Sequence, residues 1–441
     1  FEMKNKRKQM KKIIKLSVAA ALAATAMNAA VVDNVKLDGK ARLFYETNNA
    51  NGTDMLDAEN AGTKGQVLLT VGASADVGPI KVNLRNSTLT TMGLEHTVVK
   101  APQTSTADTQ NYTDIANVVA TIGGTTVVVG KQELNTPMCF TEGWNIHRNT
   151  FDANVLVNKG LVPNTTLVFA DVKSTNASGA GLTYNGAFTT ALNAEMMAAH
   201  TTIASLPVNA YYYELSGTTA SWFDTKATIG GIKFGAIYAQ LDQAATTGSA
   251  AVAAVTASPE VVNQTTGVVT PAVEAAAAIP AVAATNNGTA SAWALSAATK
   301  VAGLNVFAAY SSVSDDGGSF ANVATSKKTK LPTQAVYVDG QDVAAAGADT
   351  FKIKLSGMSV GPVKLAVQHV VCDNGTANDD VETDIIATTK IAGIALKALL
   401  IQNEEGGSAN KHEKFSPPEL QKEGSSVKNS TSTEGGSDWE S

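Results

Sequence analysis

The feature that most constrains this 441-residue chain is a repeated hairpin: a β-rich run, a turn of two or three residues carrying glycine, then a run that alternates apolar and polar side chains. The stretch Ala227–Leu241, ATIGGIKFGAIYAQL, shows it most clearly. After Gly230 and Gly231, the residues Ile232, Phe234, Ala236 and Tyr238 share one parity and Lys233, Gly235, Ile237 and Ala239 the other, the period of two that an extended backbone imposes. The unit recurs at 74–85, 118–131, 299–310, 358–369 and 389–400. Long polar segments separate the units, so short and long connections alternate. That asymmetry marks a transmembrane β-barrel, with short turns at one end and long loops at the other.

One pattern runs from the first third of the chain to the last, which favours one large domain. Charged residues make up only 16% and the mean hydropathy is +0.00, the average expected when strands are greasy outside and polar inside. At the N-terminus, Met10, Lys11, Lys12 and Lys15 precede an apolar run from Leu16 to Ala26 and small residues around Ala29 and Ala30. This reads as an export signal, and residues 1–29 are assigned to a signal peptide and the residues upstream of it. Its apolar run is too short to cross a bilayer as a helix. Without it the chain keeps 26 basic and 38 acidic residues, a net charge of −12 that argues against nucleic acid as a partner. Cys139 and Cys372 are too few for a disulfide framework. Either they pair with each other or they are unpaired, solvent-facing thiols.

The barrel is expected over 30–403. Its first strand, Val35–Glu46, sets Lys36, Asp38, Lys40 and Arg42 against Val35, Leu37, Ala41, Leu43 and Tyr45. In a barrel the apolar set faces lipid and the charged set faces a water-filled bore. Residues 187–199 have helical propensity, but a strand there is needed to feed Val208–Leu215. Residues 241–290, rich in Ala and Pro, read as a long outer loop. One starting strand and eight pairs give seventeen readable strands, an odd number where antiparallel closure needs an even one. The remaining segment, 404–441, is polar, carries Pro417 and Pro418 and lacks alternation, and is expected to be a disordered tail. Tyr45, Trp222, Tyr238 and Tyr310 near strand ends fit interfacial aromatic girdles.

Four segments carry a resemblance: MKKIIKLSVAAALAATAMNA at the start, VKLDGKARLFYETN in the first strand, GKQELNTP at Gly130–Pro137 and NTFDANVLVNKGLVPNTTLVFADV at Asn149–Val172. Together the chain resembles the epsilonproteobacterial (Campylobacter-type) major outer membrane proteins, porins distantly akin to the specific-channel porins of pseudomonads. The resemblance implies an all-β, antiparallel, 18-stranded barrel, a homotrimer in the outer membrane of a Gram-negative bacterium, and a third loop folded inward, here Thr136–Thr150. The tail departs from the aromatic closing strand of that family.

No catalytic motif appears: there is no GxSxG, HExxH, GxxxxGK[ST] or EF-hand loop, and the five histidines are scattered singly. An enzyme is not expected, nor a cofactor or metal. The chemistry expected is that of a passive pore, which needs a polar interior, a narrowing and charges that select solutes. The narrowing is placed on Glu142, Trp144, His147 and Arg148 of the third loop, where the alternative is an ordinary external loop. Lumen-wall candidates are Lys40, Arg42, Lys81, Arg85, Lys131, Lys352, Lys354 and Lys364, which in a soluble sandwich would be a solvated face. The acidic groups Asp315 with Asp316, and Asp373 with Asp379 and Asp380, read as solvated loop charge, or as bridges through divalent ions to lipopolysaccharide. The expected partners are outer-membrane lipid and lipopolysaccharide, further copies of the chain, and small hydrophilic solutes and ions. The competing reading is a secreted or surface-exposed β-rich adhesin or surface-layer protein.

Overall fold

The period of two predicts extended segments between the turns, and the structure, a computed structural model, places them there. It describes residues 32–49, 57–59, 62–104, 109–178, 183–184, 188–215, 217–243, 261–262, 269–270, 288–375, 378–405 and 408–415. Eighteen strands form one antiparallel sheet. In order they are β1 (Val32–Asn48), β2 (Lys64–Val77), β3 (Ile80–Thr90), β4 (Thr109–Ile122), β5 (Thr125–Gln132) and β6 (Phe151–Val162). Next come β7 (Thr165–Thr175), β8 (Thr190–Ile203), β9 (Leu206–Leu215), β10 (Thr218–Ile229), β11 (Ile232–Asp242) and β12 (Thr289–Val301). The last six are β13 (Leu304–Val313), β14 (Asp349–Val360), β15 (Val363–Asp373), β16 (Asp380–Ile391), β17 (Ile394–Glu405) and β18 (Ser408–Phe415). Each strand pairs with its neighbours in sequence, and β1 pairs with both β2 and β18, which closes the sheet into a barrel.

Eight connections at one end are two-residue turns, from 78–79 to 392–393. Gly230 and Gly231 both have positive φ, +59° and +81°, the paired left-handed conformation whose twist matches that of antiparallel strands. At the other end lie the long connections, including 49–63, 91–108, 133–150, 243–288 and 314–348. Along the strands one face is apolar and open: Leu37 is 78% exposed, Val71 66% and Leu295 56%. A monomeric soluble protein does not show such an apolar belt on its outside.

Four expectations need correction. The sheet has an eighteenth strand, within the segment expected to be a disordered tail. Its backbone pairs with β17 from Ala398↔Phe415 to Glu405↔Ser408, and with β1 from Tyr45↔Phe415 to Asn48↔His412. Backbone pairing does not require apolar alternation, which is why the polar sequence hid the strand. The cysteines are unpaired but not solvent-facing, for both are buried. Trp222 is buried inside the barrel instead of lying in a girdle, while Tyr238 and Tyr310 do lie on the outer face. Lys131 is on the outer face too, as set out below. Residues 187–199 fall in β8 from Thr190 onward, so the tertiary pairing overrides the helical propensity. The leader at 1–29, most of the 241–290 loop and residues 416–441 lie outside the described residues.

The bore is not empty. Loops 133–150 and 314–348 both fold into it and pack on one another: Val323 N donates to Met138 O at 2.9 Å, and Asn322 Nδ2 to Phe140 O at 2.8 Å. Met138 and Cys139 of the first loop, Phe320, Ala324 and Leu331 of the second, and inward side chains of β6 to β12 make one apolar cluster, with Phe151, Tyr213 and Trp222 at its heart.

Candidate functional site

The loop 133–150 also packs on the wall formed by β1 to β4, where Ile146 joins Phe44, Leu68, Leu89 and Tyr112. A small cavity there is bounded by Lys40, Arg42, Leu68, Thr70, Arg85, Asp114, His147 and Arg148. Strand parity aims Lys40 and Arg42 inward, together with the buried Phe44. Asp114 arrives by a different device. The pairing of β3 with β4 slips between Arg85 and Asn86, leaving Asp114 as the extra residue of a bulge, with its carboxylate inside the barrel.

Arg85 is the centre of this group. Its Nε and Nη2 donate to Asp114 at 2.8 to 3.1 Å, and its Nη1 donates to Glu133 Oε1 at 2.8 Å. His147 Nε2 lies 3.2 Å from Asp114 Oδ2, and Arg148 Nη1 lies 3.8 Å from Glu133 Oε2. Arg42 Nη1 donates to Ile146 O at 3.2 Å, so the wall also grips the loop backbone. Burial by itself would push the Glu133 carboxyl up, but the guanidiniums of Arg85 and Arg148 hold it below its ordinary value of 4.5. For His147, burial lowers the imidazole below its ordinary 6.5 despite the nearby Asp114. With that imidazole neutral, the described residues of the group comprise four cations (Lys40, Arg42, Arg85, Arg148) and two carboxylates (Asp114, Glu133).

The four residues placed on the narrowing therefore divide. His147 and Arg148 reach the cavity, whereas Glu142 does not offer its charge to it. Glu142 is 3% exposed and joins the two loops: it accepts from Trp144 Nε1, from Asn322 Nδ2 at 2.7 Å and from Thr325 Oγ1, and its own N–H donates to Asn149 Oδ1. Trp144 is part of that joint, with Lys328 Nζ 5.7 Å from its ring.

The wall candidates also divide. Lys40, Arg42 and Arg85 line the cavity, and Lys81, Lys354 and Lys364 share the inward parity of their strands. Lys352 is inward but buried, its Nζ donating to Gln334 O of the loop 314–348. Lys131 faces outward. In β5 it pairs with Asp152, while Gly130 and Gln132 pair with Ala153 and Phe151, which belong to the interior cluster. Its Nζ sits 4.4 Å from the Phe188 ring. The preceding VVV run at 127–129 has no alternation from which that facing could be read.

Sequence reasoning placed a loop at 314–347 but missed its inward course and its anchor. Glu382 of β16, fully buried, accepts three consecutive backbone N–H groups, from Val336, Tyr337 and Val338, at 2.6 to 2.8 Å. Tyr337 Oη donates to Glu46 of β1, and Lys328 Nζ donates to Ala335 O and Val336 O. The available signal was Glu382 itself, an acid at an inward position of the strand DVETDIIATTKI. Among the described residues, no three His, Cys, Asp or Glu side chains converge as metal ligands.

No protein-family profile matches the sequence, and no curated protein matches it significantly. Solved structures do match. OccAB1 of Acinetobacter baumannii is 14% identical, with a TM-score of 0.60 over 90% of this chain and 99% of that one. OpdK of Pseudomonas aeruginosa, solved with vanillate, is 10% identical, with a TM-score of 0.60 over 87% and 98%. A BenF-like porin from Pseudomonas fluorescens Pf-5 is 11% identical, with a TM-score of 0.60 over 88% and 99%. At these identities the likeness is one of architecture: the chain has the fold of outer-membrane β-barrel porins.

Proposed function

We propose that the protein is an outer-membrane channel for passive diffusion of ions and small hydrophilic solutes, narrowed by the inward loops and selective for anions. The observation that carries this is the cavity wall, where, among the described residues, Lys40, Arg42, Arg85 and Arg148 outnumber Asp114 and the adjoining Glu133, inside a barrel whose outer belt is apolar. An apolar belt around a polar bore suits a bilayer, and cations at a narrowing lower the barrier to anions. The OpdK structure with vanillate supports a small carboxylate as one solute class. On this reading the two-residue turns are periplasmic and the long loops extracellular. Residues 1–29 serve as the export signal, the chain assembles as a homotrimer among lipid and lipopolysaccharide, and the relationship to Campylobacter-type porins rests on the sequence segments quoted above.

Planar-bilayer recording of the purified protein under a salt gradient tests the proposal. Discrete conductance steps are expected, with a reversal potential of anionic sign, and the double change Lys40→Gln with Arg42→Gln is expected to cut the anion-to-cation permeability ratio at least about twofold. Release of the protein from cells into plain buffer, with no conductance, would return the adhesin reading to favour.

A further inference from the structure

At the two-residue turns the sequence repeats a second signal besides glycine. Lysine stands at one fixed offset on either side: K-V-A-G at Lys300, K-I-A-G at Lys390, G-P-I-K at Lys81, G-P-V-K at Lys364 and G-G-I-K at Lys233. Each of these is the second residue from its strand's turn end. Because side chains alternate along a strand, a fixed offset from the turn fixes the facing. Lys300 shares parity with the buried Ala294, Lys390 with Asp384, Lys233 with Ala239, Lys364 with Gln368, and Lys81 with Arg85. The residues next to them confirm the assignment, for Ile229, Ile232, Val301, Ile391 and Ile394 all show exposed apolar side chains on the outer face. Two further inward lysines, Lys226 and Lys397, are the fourth from their turns.

These seven lysines fall on β3, β10, β11, β12, β15, β16 and β17. On the remaining arc, the inward residues near the turns of β4, β5 and β7 are Thr121, Thr126 and Thr166. The acids on the same inner face near this end are Asp33 and Asp76, opposite one another across β1 and β2 with Lys81 beside Asp76, and, deeper, Asp38 of β1 and Asp224 of β10; Lys36 of β1 faces inward with them. We infer that the turn end of the bore is a second selectivity element, a crescent of lysine that draws small anions toward the periplasmic mouth, independent of the cations at the narrowing. The inference rests on the chain being a pore.

Two physical points give it a distinctive signature. Charges at a mouth act through solution, where the field decays over about 8 Å at physiological salt and about 30 Å at 0.01 M. A low-dielectric wall focuses what remains along the axis. The crescent therefore acts most strongly when the solution on its own side is dilute, and weakly when the dilute solution bathes the other end.

The test is reversal-potential measurement with the barrel in a known orientation. Orientation is scored by reaction of a Thr97→Cys tag, on the exposed loop at the far end, with a membrane-impermeant maleimide. The variant carries Lys81→Gln, Lys233→Gln, Lys300→Gln, Lys364→Gln and Lys390→Gln; a matched variant with Arg at the same five positions keeps the charge. With dilute salt at the turn end, the Gln variant is expected to lose at least about half of the anion-to-cation permeability ratio while the Arg variant keeps it. With dilute salt at the loop end, all three proteins should agree. A Gln variant that matches the parent at the turn end, or loses equally in both configurations, would overturn the inference while leaving the pore intact. A parent without conductance would instead sink the pore reading itself. Heat-modifiable migration in detergent gels shows that each variant has folded.

Discussion

Asp114 carries a buried charge on an inner wall because a bulge in β4 turns it toward Arg85. Removing one partner of such a pair leaves the other charge desolvated, which costs about 3–5 kcal/mol. Arg85→Gln would leave Asp114 with His147 and Glu133 with the more distant Arg148 in place of a bonded guanidinium, and a clear drop in the temperature at which the barrel loses its compact gel migration is expected; an unchanged transition would mean that Arg85 does not hold the wall to the loop. His147 makes the same contact sensitive to pH. Its folded-state value lies below its ordinary 6.5, so the folded protein binds fewer protons than the unfolded chain between those two values. The stability this contributes is complete above 6.5 and is lost as pH falls through that interval. Acidification below the ordinary imidazole value of 6.5 should therefore loosen the loop 133–150, seen as current that grows noisier as the pH falls and that His147→Gln suppresses. Cys139 behaves oppositely to an exposed thiol: burial pushes it up to about 12, so it should resist alkylation at pH 8 until the protein is unfolded.

The elements divide according to how strongly the sequence had to declare them. Each two-residue turn needs residues that accept a left-handed backbone, and each strand with an open outer face carries an apolar stripe, so both could be read directly from residues such as Gly230, Gly231 and Leu37. The loop 314–348 needed neither. Water inside a bore and water outside ask for the same composition, so Ser319–Lys330 looks like any solvated loop although Phe320 and Thr329 are fully buried. Trp222 and Phe223 are adjacent, so one must point inward, and nothing in TASWFDTK says which. That the third loop turns into the barrel was legible, and its Met138 and Cys139 do pack among inward side chains. Its charges were not legible, because Glu142 turned toward the second loop and the pairing acids lay on a bulge and at Glu133. If Glu382 latches the loop 314–348, Glu382→Gln would weaken three hydrogen bonds to a charged acceptor, an interaction class contributing about 1.5–3 kcal/mol each. The loop should then be cut faster by added protease between 326 and 338, and conductance should rise. Unaltered proteolysis and conductance would mean that packing on the loop 133–150 holds it without the latch.

At the scale of the whole molecule, everything depends on closure. A sheet edge in lipid exposes backbone N–H and C=O groups with no water to satisfy them, so a spanning barrel must join its first strand to its last. Here that joint is the eight-residue β18, whose contact with β1 runs over only Tyr45–Asn48, at the long-loop end. Among the described residues no strand pairs with the rest of that edge of β1. The seam is thus the least redundant part of the barrel: seventeen strands each have long partners on both sides or a full partner on one, and the eighteenth supplies the only described bond across the gap. Two truncations separate its role from that of the residues beyond it. Ending the chain after Phe415 should leave a compact, heat-modifiable barrel, because every described strand pairing survives. Ending it after Glu405 removes β18 and should abolish that band and the conductance together, since β1 and β17 would both present open edges. A folded, conducting barrel from the shorter chain would show that β1 and β17 can zip directly, and that the polar strand between them is dispensable to the closed form.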